Sequence, residues 1–411
     1  MKARAILAVV FLFLLAALFS TMSGCGGSSN STSTSFAGTQ APGDFWSWTI
    51  DNTAGTFSAT NNTKSYNYSG TSTALTGNSA GISKLLVTST TDPGVSASLS
   101  TLAQNAYAVE VPNTVLMVAH APFYSSGSGV QQSIEPPVFA AAQGSCPSTG
   151  ANVNWITMPP ATWCSKVGDV NPLPGAHACA AADNAYGTAA ISVSGGTYGL
   201  TINQFKLDGT ASGGMNLSGC SCSNGLIQCT DSGGQAVRIS FTPSGVFFVD
   251  MAANAIAGIV QPSANVDISD FLKAGRSFKA IYHTALDSSQ IFSNSASCTS
   301  HGGTWVNGVG PCGTHATQPA SATTNGTQLA GNPYTDVDHG TLSAQGGTIS
   351  FATSSQTTPG LVTGTFSDFG GGSSPIVMAV RQVNGKYVAL ILTHSPNATL
   401  GGGFNILAVE Q

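Results

Sequence analysis

Charge is what this sequence has least of. Only 12 Lys and Arg and 17 Asp and Glu occur among 411 residues, and the charged fraction is 7%. Nucleic-acid binding needs a basic patch or stripe; the positive residues here are few and scattered, so a nucleic-acid partner is excluded. Aromatic residues are also sparse, at 8%, which argues against an outer-membrane β-barrel with its lipid-facing band and aromatic girdles. No histidine pair has the H-x-x-x-H spacing that sets two imidazoles on one helical face, and no C-x-x-C-H stretch could attach haem. A nucleophilic serine elbow needs a strand-turn-helix setting, and Gly127-Ser128-Gly129 is a polar loop without one. No cofactor is implied.

What is present begins at the amino end. Lys2 and Arg4 precede an apolar run from Ala5 to Phe19, followed by small residues, the three-part layout of an export signal. The run is shorter than the roughly 20 apolar residues that a spanning helix needs, and a Gly, Ser, Thr and Asn tract follows at once. The stretch Met22-Ser23-Gly24-Cys25 resembles the lipobox of bacterial lipoproteins. That resemblance implies cleavage before Cys25, lipidation of Cys25, and a partner membrane reached through the N-terminal lipid. The neutral Gly26 suits the outer membrane over the inner. Several acyl chains give durable anchoring where one binds only marginally.

Nine cysteines occur, and setting Cys25 aside leaves Cys146, Cys164, Cys179, Cys220, Cys222, Cys229, Cys298 and Cys312. An even number in an exported chain suggests four disulfides. Cys298 and Cys312 stand apart from the others and are expected to pair, closing a loop of about fifteen residues worth about 3 kcal/mol in the chain-entropy model. Cys146 with Cys164 is the second expected pair. Zinc on Cys220, Cys222 and Cys229, with Cys179 and His177, is the competing use of these thiols; it lacks paired C-x-x-C knuckles, and an oxidising compartment disfavours it.

The 49 glycines and the many β-branched threonines favour turns and strands over helices. An all-β fold is expected, built of antiparallel β-sandwich or barrel-like modules, two in number and stapled by disulfides. Residues 1–24 form the signal peptide and 25–42 a flexible tether, too polar to offset its ordering entropy by burial. Residues 43–262 form one β module with a Cys-rich insertion at about 146–229, and 263–411 form the second. Three hairpins are legible: Tyr107 to Ala119 about Pro112-Asn113, Arg238 to Val249 about Pro243-Ser244-Gly245, and Ile376 to Leu392 about Asn384-Gly385. Asn-Gly accepts the positive φ angles of a type I′ turn. The first and third read as copies, with Gly55-Thr56 and Gly340-Thr341 as matching openings upstream. Short helices are expected only near Ala176 to Ala185 and Ala252 to Ile259.

Candidate site residues are few. His120 and His394 end the second strands of the two copied hairpins, where an imidazole could act as a base or ligand. Asp336 and Asp338 make the densest cluster of oxygen donors, the kind calcium takes, although the rest of an EF-hand loop is absent. Trp46 and Trp48 share one strand face by the period of two, and exposed rings there would stack on sugars. The expected role is a membrane-anchored exported lipoprotein with non-catalytic binding, adhesion or envelope-structural work, with carbohydrate or envelope components as partners. The alternative is an exported hydrolase acting on carbohydrate, which needs two facing carboxyl groups.

Overall fold

A computed structural model describes residues 33–40, 44–76, 81–96, 105–111, 113–120, 123–124, 132–133, 138–158, 164–165, 177–178, 185–242, 245–251, 254–284, 317–331, 334–336, 340–344, 348–367, 373–394 and 403–411. Most of them are strand. The strands form three closed antiparallel barrels of eight strands each, at residues 33–142, 151–260 and 277–410. The expected all-β, barrel-like, disulfide-stapled architecture is therefore the one observed. The count of modules is corrected from two to three, because residues 185–230, expected as part of a Cys-rich insertion, are four strands of the middle barrel.

All three barrels have the same up-and-down path, in which each strand pairs with the next and the eighth returns to the first. Closure runs through Ser33–Gln40 with Val138–Ala142, Ala151–Thr157 with Asn254–Val260, and Ser277–Thr284 with Gly403–Glu410. Among the described residues, each barrel carries one two-stranded insertion, at a different place. It follows the seventh strand in the first barrel (Phe123–Tyr124 with Gln132–Ser133), the first strand in the second (Cys164–Ser165 with His177–Ala178) and the third strand in the third (Tyr334–Asp336 with Gly340–Ala344).

The tether expected over 25–42 is corrected at its C-terminal part, since Ser33–Gln40 is the first barrel strand. Its polar sequence hides that role: pairing on both edges supplies the order, and Phe36, fully buried, anchors the strand inward. The helix expected at Ala252 to Ile259 is a strand, Asn254–Val260, whose small residues suit close packing between barrels. Of the stretch Ala176 to Ala185, residues 177 and 178 are strand and Ala185 opens another; the remainder lies outside the described residues. The helices among the described residues are two short ones, Pro93–Ser96 and Ile268–Phe271.

Strand alternation divides the side chains between two kinds of core. One set fills each barrel, as an eight-stranded barrel is just wide enough to be filled by its own side chains. Phe36, Trp46, Trp48, Ile50, Leu116 and Val118 fill the first, Trp155, Leu200, Ile202, Ile239 and Phe247 the second, and Phe271, Phe278, Met378 and Ile391 the third. The other set forms one cluster shared by all three barrels. It includes Met117 and Phe139 from the first, Ile156 and Phe248 from the second, and Ile281, Leu390 and Leu407 from the third.

The shared core explains why three hairpins stand out in the sequence. Each is the sixth and seventh strand of its barrel, and each lies against the first strand and one of its neighbours in another barrel. The hairpin of the second barrel meets the first and eighth strands of the first barrel, that of the third meets the first and eighth of the second, and that of the first meets the first and second of the third. The contacts are head-to-tail and close into a ring of three, as a heterologous interface does when its rotation closes. A seventh strand is thus buried on both faces. Val115, Val246 and Val388 take corresponding places there; each is followed by a residue aimed into its own barrel (Leu116, Phe247, Ala389) and one aimed into the shared core (Met117, Phe248, Leu390).

The expected Asn384-Gly385 turn is present with φ angles of 53° and 79°. The matching Gly-Thr openings are not equivalent: Gly55-Thr56 leads into the third strand of the first barrel, whereas Gly340-Thr341 belongs to the inserted ribbon of the third. Outer faces away from the ring are hydroxyl-rich and carry few charges. In the first barrel, Ser35, Thr49, Ser58 and Ser69 form one cross-strand row. Apolar interiors with polar exteriors are the reverse of a transmembrane barrel, which is polar inside and apolar outside.

Candidate functional site

The two histidines belong to different barrels. His120 ends the seventh strand of the first, paired with Ala106, and His394 ends the seventh strand of the third, paired with Gly403. Counted from the corresponding Val115 and Val388, His120 is the fifth residue along and His394 the sixth. The two therefore do not hold equivalent register positions, and strand pairing does not bring them together. Asp336 lies in the ribbon inserted in the third barrel; Asp338 lies outside the described residues. Among the described residues, no group of three His, Cys, Asp or Glu is placed to hold a metal ion.

Trp46 and Trp48 are 2% and 3% exposed, which removes them as a sugar-stacking platform. Trp46 and Trp48 stack with ring centroids 5.7 Å apart inside the first barrel, and the Trp46 indole N–H donates to Gln40 Oε1 at 2.8 Å. The spacing G-x-S-x-G does occur at Gly77-Asn78-Ser79-Ala80-Gly81, a signal available in the sequence. It falls between two consecutive antiparallel strands, Tyr66–Ala74 and Ser83–Thr90. Residues 77–80 themselves lie outside the described residues.

Cysteines converge on the second barrel. Cys220 and Cys229 bridge two adjacent strands, Ala211–Ser223 and Leu226–Thr230, with a Cα separation of 4.5 Å. Cys222, two residues along the same strand, bridges to Cys146 with Cα atoms 5.9 Å apart. The expected pairing of Cys146 with Cys164 is therefore corrected. Spacing favoured Cys164, but closure of the barrel carries Cys222 to the segment that enters it. Three of the thiols weighed for zinc are held in these bridges. Cys179, Cys298 and Cys312 lie outside the described residues, as does Cys25. Chain-entropy reasoning assigns about 4.5 kcal/mol to the 76-residue closure and about 2.6 kcal/mol to the nine-residue one.

Three polar clusters are built into the scaffold, two of them charged. Between the first two barrels, Asp250 is 3% exposed. It accepts from Arg238 Nη1 at 2.9 Å and from Thr39 Oγ1 at 3.1 Å, while the guanidinium lies over the Phe45 ring at 5.5 Å. Burial pushes the Asp250 carboxyl up despite Arg238, whose hydrogen bond and charge act the other way. Between the second and third barrels, Asn154 donates to Pro359 O at 2.7 Å, and its Oδ1 accepts from Thr358 Oγ1 and Gln261 Nε2.

The third cluster closes one end of the third barrel. Ile268–Phe271 inserts Phe271, fully buried, against Phe278, Phe351 and Tyr387. Asp267 caps this turn through the backbone amides of Ser269 and Asp270. Arg276 then pairs with Asp270 at 2.8 Å and with Glu410, and Tyr387 Oη donates to Asp270 Oδ2 at 2.8 Å. The Tyr387 hydroxyl is pushed up to about 12, first by burial and then by the Asp270 carboxylate that it serves. A phenol with a raised value favours folding fully below its unfolded value of 10.0 and loses that contribution as pH rises toward about 12. Tyr387→Phe should cost about 1 kcal/mol at neutral pH, because Asp270 stays partly exposed and solvent replaces the lost donor. The variant should also lose the Tyr387 share of the wild-type decline between pH 10 and 12, so its fall is shallower; urea titrations at both ends of that range check it.

One carboxylate stands apart. Glu110, on the sixth strand of the first barrel, accepts from Asn52 Nδ2 at 3.0 Å through Oε2, while its Oε1 is buried with no hydrogen-bond partner, and burial raises its carboxyl. Asn52 is neutral, and among the described residues no second carboxylate is paired with Glu110. No protein-family model matches the chain, and comparison with curated proteins finds no relative.

Proposed function

We propose that this chain is an exported lipoprotein, held at the outer membrane through lipidated Cys25, whose three-barrel body has a non-catalytic binding, adhesion or envelope-structural role. One observation carries the reading of the body. Its barrels are filled by their own side chains, and the buried or half-buried ion pairs Arg238 with Asp250 and Arg276 with Asp270 lie between barrels and at a barrel end. A rigid solid body of this kind presents surfaces; its outer rows of Ser, Thr and Asn suit uncharged, hydroxyl-rich partners such as carbohydrate or other envelope components. Disulfides in the second barrel agree with an oxidising compartment, and the apolar run and small residues before Cys25 agree with export and acylation.

The address is tested by feeding expressing bacteria an alkyne-labelled fatty acid and fractionating them. The wild-type chain should carry label, start at Cys25 by mass spectrometry and sediment with outer membranes. Cys25→Ser should lose the label. An unlabelled wild-type chain with its leader intact would overturn the reading.

A further inference from the structure

The two bridges of the second barrel differ in surroundings, and the difference gives them different chemistry. Cys220 and Cys229 are 3% and 7% exposed and belong to the barrel's own core, packed with Leu217, Ile227 and Val237. Cys146 and Cys222 are each only half-buried and lie at the edge of that core. A thiolate must reach a sulfur along the S–S axis to open a disulfide, so access orders the two bridges. The outer bridge also has a mechanical position that the inner one lacks. Cys146 sits in the segment 143–150, which has no regular structure and joins the last strand of the first barrel to the first strand of the second.

That segment has only two other named holds among the described residues: Gln143 N donates to Ser35 O at 2.8 Å, and Tyr198 Oη donates to Pro147 O at 3.0 Å. The inner bridge, by contrast, joins strands that are already neighbours in the ladder. Opening the inner bridge changes no connection between barrels; opening the outer one removes the only covalent tie among the described residues between the inter-barrel segment and the fourth strand of the second barrel.

We propose that Cys146–Cys222 is a redox-labile latch, opened by an external dithiol while Cys220–Cys229 remains closed, and that its opening frees residues 143–150. One thiolate of the dithiol attacks either sulfur of the bridge, forming a mixed disulfide and expelling the other cysteine as thiolate. The second thiol of the reagent then displaces the protein sulfur. The balance is two cysteine thiols gained on the protein and one disulfide formed on the reagent, with two electrons and two protons transferred.

The test uses the full oxidised chain. It is exposed to rising concentrations of dithiothreitol, quenched with N-ethylmaleimide and mapped by peptide mass spectrometry, with proteinase K digestion of parallel samples. Cys146 and Cys222 should be alkylated at reductant levels at least tenfold below those that label Cys220 and Cys229. Over the same range, cleavage should appear within 143–150. Equal labelling of the two bridges, prior labelling of Cys220 and Cys229, or an alkylated outer pair with 143–150 still protected would each overturn the proposal. A C146S/C222S variant should show the cleavage without reductant; should it fail to fold, the order of alkylation in the wild-type chain decides alone.

Discussion

Phe248→Ala should destabilise all three barrels together, by about 3–5 kcal/mol, the usual cost of truncating a buried phenylalanine. The ring is 1% exposed and leaves the second barrel outward, into the shared core. It stacks on Phe139 of the first barrel at a centroid distance of 6.1 Å, in the same cluster as Leu390 and Leu407 of the third. Because the hole opens where three barrels meet, none of them can fill it by adjusting alone. Ile202→Ala is the internal control: its side chain points into the second barrel, and its cost of about 2–5 kcal/mol should be borne there first. Hydrogen exchange resolved by peptide distinguishes the two. Phe248→Ala should lower protection of the closing strands in every barrel. If the loss stays within residues 151–260, the barrels fold as independent beads and the shared core carries little of their stability.

The fold class was legible because the period of two survives across most of the chain, as in Thr197–Lys206, where Tyr198, Leu200 and Ile202 point inward and Thr197, Thr201 and Asn203 outward. The hairpins at Tyr107, Arg238 and Ile376 were legible for a different reason. Each seventh strand is buried on both faces, so its apolar run is nearly continuous. That repetition pointed to two copies and not three because the middle hairpin puts Arg238, Ser240 and Asp250 where the others put apolar residues. The strand at Ser33–Gln40 was hidden since its order comes from pairing at both edges, a long-range contact that local composition does not record. Asn224-Gly225, with φ of 52° and 80°, was a readable type I′ turn inside the region taken as an insertion. Disulfide partners escaped sequence reasoning for the same long-range cause: Cys146 meets Cys222 only once the barrel closes. Of the candidate site, the tryptophan face could be read as a face, but periodicity alone does not say whether a face looks inward or outward.

The middle hairpin's polar residues set up the sharpest test of the internal repeat. Arg238 pairs with Asp250 across the strands, at the register where the first barrel has Tyr107 with Ala119 and the third has Val377 with Leu392. Removing one member, as in Arg238→Val, strands a buried carboxylate with only Thr39 as donor. Breaking a fully buried pair costs about 3–5 kcal/mol; with Arg238 still 31% exposed, solvent screens part of the pair and about 2–4 kcal/mol is expected. Introducing Asp250→Leu into Arg238→Val reproduces the third barrel's pair and should recover most or all of that loss, because apolar residues of similar volume replace a buried ion pair at little or no cost. The sign of the pH dependence follows from Asp250. Its carboxyl is raised in the fold, mainly by burial, so the penalty of burying its charge is absent below the unfolded value and grows as pH rises through the folded one. Arg238→Val should therefore be least damaging relative to wild type in acid and progressively worse toward neutrality, whereas the double variant should show none of this Asp250-dependent loss. Denaturant midpoints at pH 4 and pH 7 for the three proteins measure all of this. A double variant no more stable than Arg238→Val would mean that the middle hairpin does not share the packing register of the other two, and the three-fold correspondence would fail at this position.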